Sequence, residues 1–97
     1  YMLPSELIAK PENWCQWFHA TDKDGREVKF NDVTAVSWCI GGALYRCYSL
    51  ETELFLASEK LREAVRKLNG VPNYALWNDE PSRTHDEVIR LLKEAKL

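Results

Sequence analysis

The sequence predicts a mainly α fold, a compact domain of three to four helices with a small β-hairpin inserted before the central helix. Three observations carry this. Apolar residues recur at three- and four-residue intervals over residues 32–48, over 53–68 and after Thr84, the spacing that turns one helix face toward a core. Capping residues and glycines bracket those stretches. Between the first aromatic cluster and the central helix, Asp24-Gly25 separates two short extended arms, and glycine supplies the positive φ such a turn needs.

In order, residues 4–9 form a short first helix with Pro4 at a permitted first-turn position, and 10–13 break it. Residues 14–30 hold an aromatic segment and the hairpin. The central helix is expected over 32–48, capped by Asp32, with Val36, Cys39, Ile40, Ala43, Leu44 and Cys47 inward. Its Gly41-Gly42 pair weakens the helix by about 1 kcal/mol per glycine, so a close neighbour is expected there. A third helix over 53–68 buries Leu54, Ala57, Leu61, Ala64, Val65 and Leu68, shows charge pairs such as Glu63 with Lys67, and stops at Asn69-Gly70. Residues 71–83 are expected to be irregular. Thr84 and Glu87 form a capping box for a last helix that turns Val88, Leu91, Leu92 and Ala95 inward.

The 97 residues are expected to make one domain, 1–97, with 1–13 as helix and linker. The net charge is −2 and the basic residues are dispersed, which argues against an electrostatic nucleic-acid binder. No apolar run approaches the roughly 20 residues that span a bilayer. Three cysteines without a secretory leader point to reduced thiols and a cytoplasmic setting.

The ordered motifs Trp14-Cys15-Gln16, Trp38-Cys39 with Gly42-Ala43-Leu44, and Trp77-Asn78-Asp79 with Thr84 resemble a family of small bacterial and phage proteins of unknown function. The likeness runs from about Trp14 to the C-terminus. Relatives usually carry glycine where this chain has Trp17. The resemblance implies a cytosolic accessory protein, a counter-defence role included, and brings no known reaction.

Cysteine chemistry needs a thiolate, a histidine and an orienting Asn or Asp. Cys39 or Cys15 with His19 is the candidate set. Placed two turns into a helix, Cys39 would lie too deep for first-turn amides to activate it, so a buried core thiol is expected there and at Cys47. No metal centre is expected: Cys39 and Cys47 would stand about 12 Å apart along a helix, too far to share one ion. No cofactor is expected either. Asp22 and Asp24 before Gly25 lack the later ligands of a calcium loop and belong to a turn. His85 is expected to stay solvated.

The remaining candidate, Trp77-Asn78-Asp79, has two readings: a structural one, in which Asn78 and Asp79 tie down backbone amides and Trp77 plugs the core, and an aromatic pocket. Trp14, Trp17, Trp38 and Trp77 would wall it, and Gln16, His19, Asn78 and Asp79, with Arg83, would orient a planar polar ligand such as a nucleobase. The expectation is therefore a non-catalytic binding module that sequesters a nucleotide-like ligand or contacts a host protein. The alternative is a small cysteine-dependent hydrolase using Cys39 or Cys15 with His19. A homo-oligomer through the third helix is a further expectation.

Overall fold

Pro4 and Pro11 open the chain's first two turns, where a missing N–H is harmless. They begin helix α1 (Pro4–Leu7) and a 3-10 turn (Pro11–Asn13) in the computed structural model, which describes residues 2–97. The expected hairpin follows as β1 (Ala20–Thr21) and β2 (Glu27–Val28), joined through Gly25 at φ 78°. Asp22 stiffens the turn by accepting the Asp24 and Arg26 amides, both at 2.9 Å. A third strand, β3 (Ser37–Trp38), pairs antiparallel with the other side of β1, so Ala20 faces Val28 on one side and Trp38 on the other.

That third strand corrects the central helix. It does not run over 32–48. Asp32 instead closes a turn by accepting the Thr34 amide at 2.8 Å and hydroxyl at 2.6 Å. The β-branched Val33, Thr34 and Val36 lose side-chain freedom in a helix. Val36 donates its amide to the Thr21 carbonyl at 2.9 Å, so the chain enters the sheet first. Helix α2 then spans Ile40–Cys47, with Cys39 as its N-cap.

Helix α3 (Glu51–Asn69) ends on Gly70 in the left-handed conformation, at φ 81°. Its exposed face pairs Glu59 with Arg62 and Glu63 with Arg66, rather than with Lys67. Leu68 is exposed, not inward. The stretch expected to be irregular holds a helix, α4 (Tyr74–Asn78), whose N-cap Asn73 accepts the Leu76 amide at 3.0 Å. Helix α5 (His85–Glu94) carries the expected capping box from Thr84 and Glu87. His85 is not simply solvated: its Nε2 lies 2.7 Å from the Ile8 carbonyl oxygen.

The core joins these pieces. Ile40 and Leu44 of α2, Leu61 and Val65 of α3, and Val88, Leu91 and Leu92 of α5 are fully or almost fully buried, with Ile8 beside them. Ala20 and Trp38 of the sheet belong to the same core. The fold is mainly α, with a small antiparallel sheet ahead of the main helices. Among the described residues no helix is long and apolar enough to cross a membrane.

The two central glycines have different reasons. A β-carbon at Gly42 would come within 2.8 Å of the His19 carbonyl carbon and closer still to its oxygen. That backbone cannot step aside, because the same oxygen accepts the Cys39 amide at 3.2 Å. A β-carbon at Gly41 would meet only the Tyr74 ring at 3.5 Å and the Cys39 sulfur at 3.9 Å, which is ordinary contact. In chemical denaturation, Gly41→Ala is expected to hold or raise stability by up to about 1 kcal/mol. Gly42→Ala should lower it by about 2 kcal/mol or more.

A pocket at the start of helix α2

Asn78 ties the tryptophan motifs together. Its side chain is fully buried and its amide is saturated. The oxygen accepts from the Trp14 indole at 2.8 Å and from the Ile40 amide at 3.1 Å. The nitrogen donates to the Cys15 carbonyl at 3.3 Å and to Asp79 Oδ1 at 2.9 Å. Gln16 adds two further ties, donating to the Asn78 carbonyl at 2.9 Å and the Glu80 carbonyl at 2.8 Å. The Trp17 amide donates to Asp79 Oδ1 at 2.9 Å. Asn78 therefore holds the aromatic segment, the first turn of α2 and the end of α4 against one another.

This junction frames a pocket of about 420 Å³, within the usual range for small-molecule sites. It is lined by Trp17, Phe18 and His19 of the aromatic segment, by the N-cap Cys39, and by Gly41 and Tyr45 of α2. Arg62, Tyr74, Asn78 and Asp79 complete the lining named here. The His19 and Tyr45 rings are 5.3 Å apart, and the Arg62 guanidinium lies 5.9 Å from the Tyr74 ring centre. Asp79 uses Oδ1 for both of its hydrogen bonds and, among the described residues, Oδ2 takes none.

Of the residues expected from sequence, Trp17, His19, Asn78 and Asp79 line this pocket. Trp14 and Gln16 are committed to the Asn78 junction. Trp38 is buried in β3, with its indole donating to the Phe30 carbonyl at 2.8 Å. Trp77 is buried and is absent from the pocket lining; the Arg83 guanidinium lies 4.0 Å from its ring centre, and Arg83 Nε donates to the Trp77 carbonyl at 2.8 Å. Phe18, Gly41, Tyr45, Arg62 and Tyr74 escaped the sequence reading. Gly41 and Tyr45 share one helix face, a signal that was available. Tyr74 sits on a helix that the surrounding prolines concealed.

Cys39 also needs correcting. It is not two turns inside a helix but caps α2, half-buried, with Sγ 3.2 Å from the Gly42 amide. Burial nevertheless dominates and pushes its thiol up to about 11, against a smaller downward pull from the Gly42 and Gly41 amides. Cys15 is raised as well, first by burial, although the Ser37 and Thr21 hydroxyls oppose it. Cys47 is half-buried rather than core, and burial takes it up to about 11. No cluster of three His, Cys, Asp or Glu side chains converges on a common point among the described residues.

The geometry defines a small helical domain carrying an aromatic and polar pocket at the start of its central helix. Residues 5–96 match the model of a family of unknown function, DUF6197, and the chain belongs to that family. No curated protein and no solved structure matches the chain.

Removing the Asn78 amide would leave the Trp14 indole, the Ile40 amide and the Cys15 carbonyl without this partner. Each such buried group costs about 1–3 kcal/mol. Urea unfolding of Asn78→Ala is expected to show a loss of about 3–5 kcal/mol. Asn78→Asp should not restore it, because a carboxylate cannot donate to Cys15 and would face Asp79.

Proposed function

We propose that the chain is a non-catalytic binding protein that sequesters a small planar ligand bearing amino groups, of nucleobase or nucleotide type. The observation that carries this is the pocket itself, lined by the aromatic residues Trp17, His19, Tyr45 and Tyr74 and by Asp79, whose Oδ2 takes no hydrogen bond among the described residues. Trp17, His19, Tyr45 and Tyr74 offer stacking surfaces. Asp79 Oδ2 accepts an exocyclic amine, and Arg62 is within reach of an anionic group. Its pairing with Glu59 is exposed, and such pairs are weak enough to exchange. The bacterial or phage accessory setting implied by the motifs, counter-defence included, is where sequestration of this kind would act.

A second reading, a thiol hydrolase, draws on Cys39 at the α2 N-cap sharing the pocket with His19. The raised thiol weighs against it. With a value of about 11, about one thiol in ten thousand is ionised at pH 7.

Two measurements separate these readings. Titration with nucleobases, nucleosides and nucleotides should give saturable tryptophan quenching, with the ligand recovered chemically unchanged. Gly41→Ala should weaken that binding without unfolding the chain. An absence of response across the panel removes ligand sequestration and leaves protein contact, for which exposed apolar residues such as Leu50, Phe55 and Leu56 are available. Iodoacetamide should label Cys39 slowly at pH 7 and progressively faster toward pH 11. The sign follows from the raised value: the buried thiol favours the fold below about pH 9, and that contribution is lost as pH climbs through about 11. Fast labelling with a midpoint near neutrality would instead favour the thiol reading over sequestration.

A further inference from the structure

We propose that Trp17 is a strained wall of the pocket, which raises affinity for a planar ligand while lowering the stability of the fold. This rests on the pocket reading above. Trp17 has φ 74°, in the left-handed region. Residues with a β-carbon avoid that region, and a bulky one there is an outlier. Such strain persists only where the surroundings enforce it.

Here the enforcement is on both sides. The Trp17 amide is fixed to Asp79 Oδ1. Before it, Gln16 is anchored to the Asn78 and Glu80 carbonyls. After it, the Phe18 carbonyl accepts from the Cys15 thiol at 3.4 Å. The backbone is thus bent for the junction, whatever side chain occupies position 17, and glycine would suit it best.

Packing does not explain the indole. Trp17 is 66% exposed, so most of its surface adds nothing to the core. What Trp17 does have is a place in the pocket lining, along with Phe18 and His19. A large aromatic that is poorly buried, conformationally unfavourable and set at a pocket is suited to stacking on a ligand. Base–aromatic stacking is strong enough to change affinity by about tenfold or more.

The test uses the full chain with Trp17→Phe, Trp17→Ala and Trp17→Gly. Thermal melting reads the backbone, and calorimetric titration with adenosine monophosphate and guanosine monophosphate reads the ring. Ala keeps the strain and loses the ring, whereas Gly loses both. The melting temperature of Trp17→Gly should exceed that of Trp17→Ala by roughly 2–8 °C, with Trp17→Ala close to wild type. Trp17→Phe should keep affinity within about threefold, while Ala and Gly each lose about tenfold or more.

If Gly melts no higher than Ala, the strain claim is overturned. If Ala and Gly bind both nucleotides as wild type does, Trp17 is not a wall of the site, and the pocket reading survives without it. If wild type binds neither nucleotide, this inference fails together with the ligand class proposed above.

Discussion

One primary amide holds this molecule in register. Asn78 has two donors and two acceptor positions, and all four are used inside the protein. Its partners come from three separated segments: Trp14 and Cys15, Ile40, and the neighbouring Asp79. A saturated buried amide is directional in a way that apolar contact is not. The helical layer could tolerate small slides among Leu44, Leu61, Val65 and Leu92. The Asn78 junction could not, because a shift of an ångström would break several hydrogen bonds together.

The pocket is a consequence of that junction. Because Asn78 takes the Ile40 amide, α2 starts there and Cys39 is left at its N-cap. Because Gly42 has no side chain, the His19 backbone packs directly on α2. His19 and Cys39 are brought to one pocket by these two constraints, and Asp79 and Trp17 by the hydrogen bonds that continue from Asn78. Gly41 also lines the pocket, and a methyl there would meet the Tyr74 ring and the Cys39 sulfur at ordinary contact distance.

Much of the fold was legible in the sequence because it depended on local signals. The Thr84 capping box, the Gly70 stop and the Gly25 turn each act within a few residues. The start of α2 was not legible, because its deciding interaction comes from Asn78, far along the chain. The apolar spacing over 32–48 fits a helix, yet Val36 is exposed and Trp38 lies in a strand paired with Ala20. Tertiary hydrogen bonding overrode periodicity there. The tryptophan motifs were visible as an ordered set, but their division of labour was not. Trp14, Trp38 and Trp77 serve the frame and Trp17 the surface, a distinction made by backbone geometry and burial rather than residue type.

Native-state hydrogen exchange at the Ile40 amide tests the central role of Asn78 most directly. A first-turn helix amide has no partner within its own helix and ordinarily exchanges through small local openings. Here the Ile40 amide and the Trp14 indole should exchange only when the whole domain opens, with the same free energy as core amides such as Leu92. Exchange at Ile40 as fast as at the first-turn amides of α5 would contradict the account.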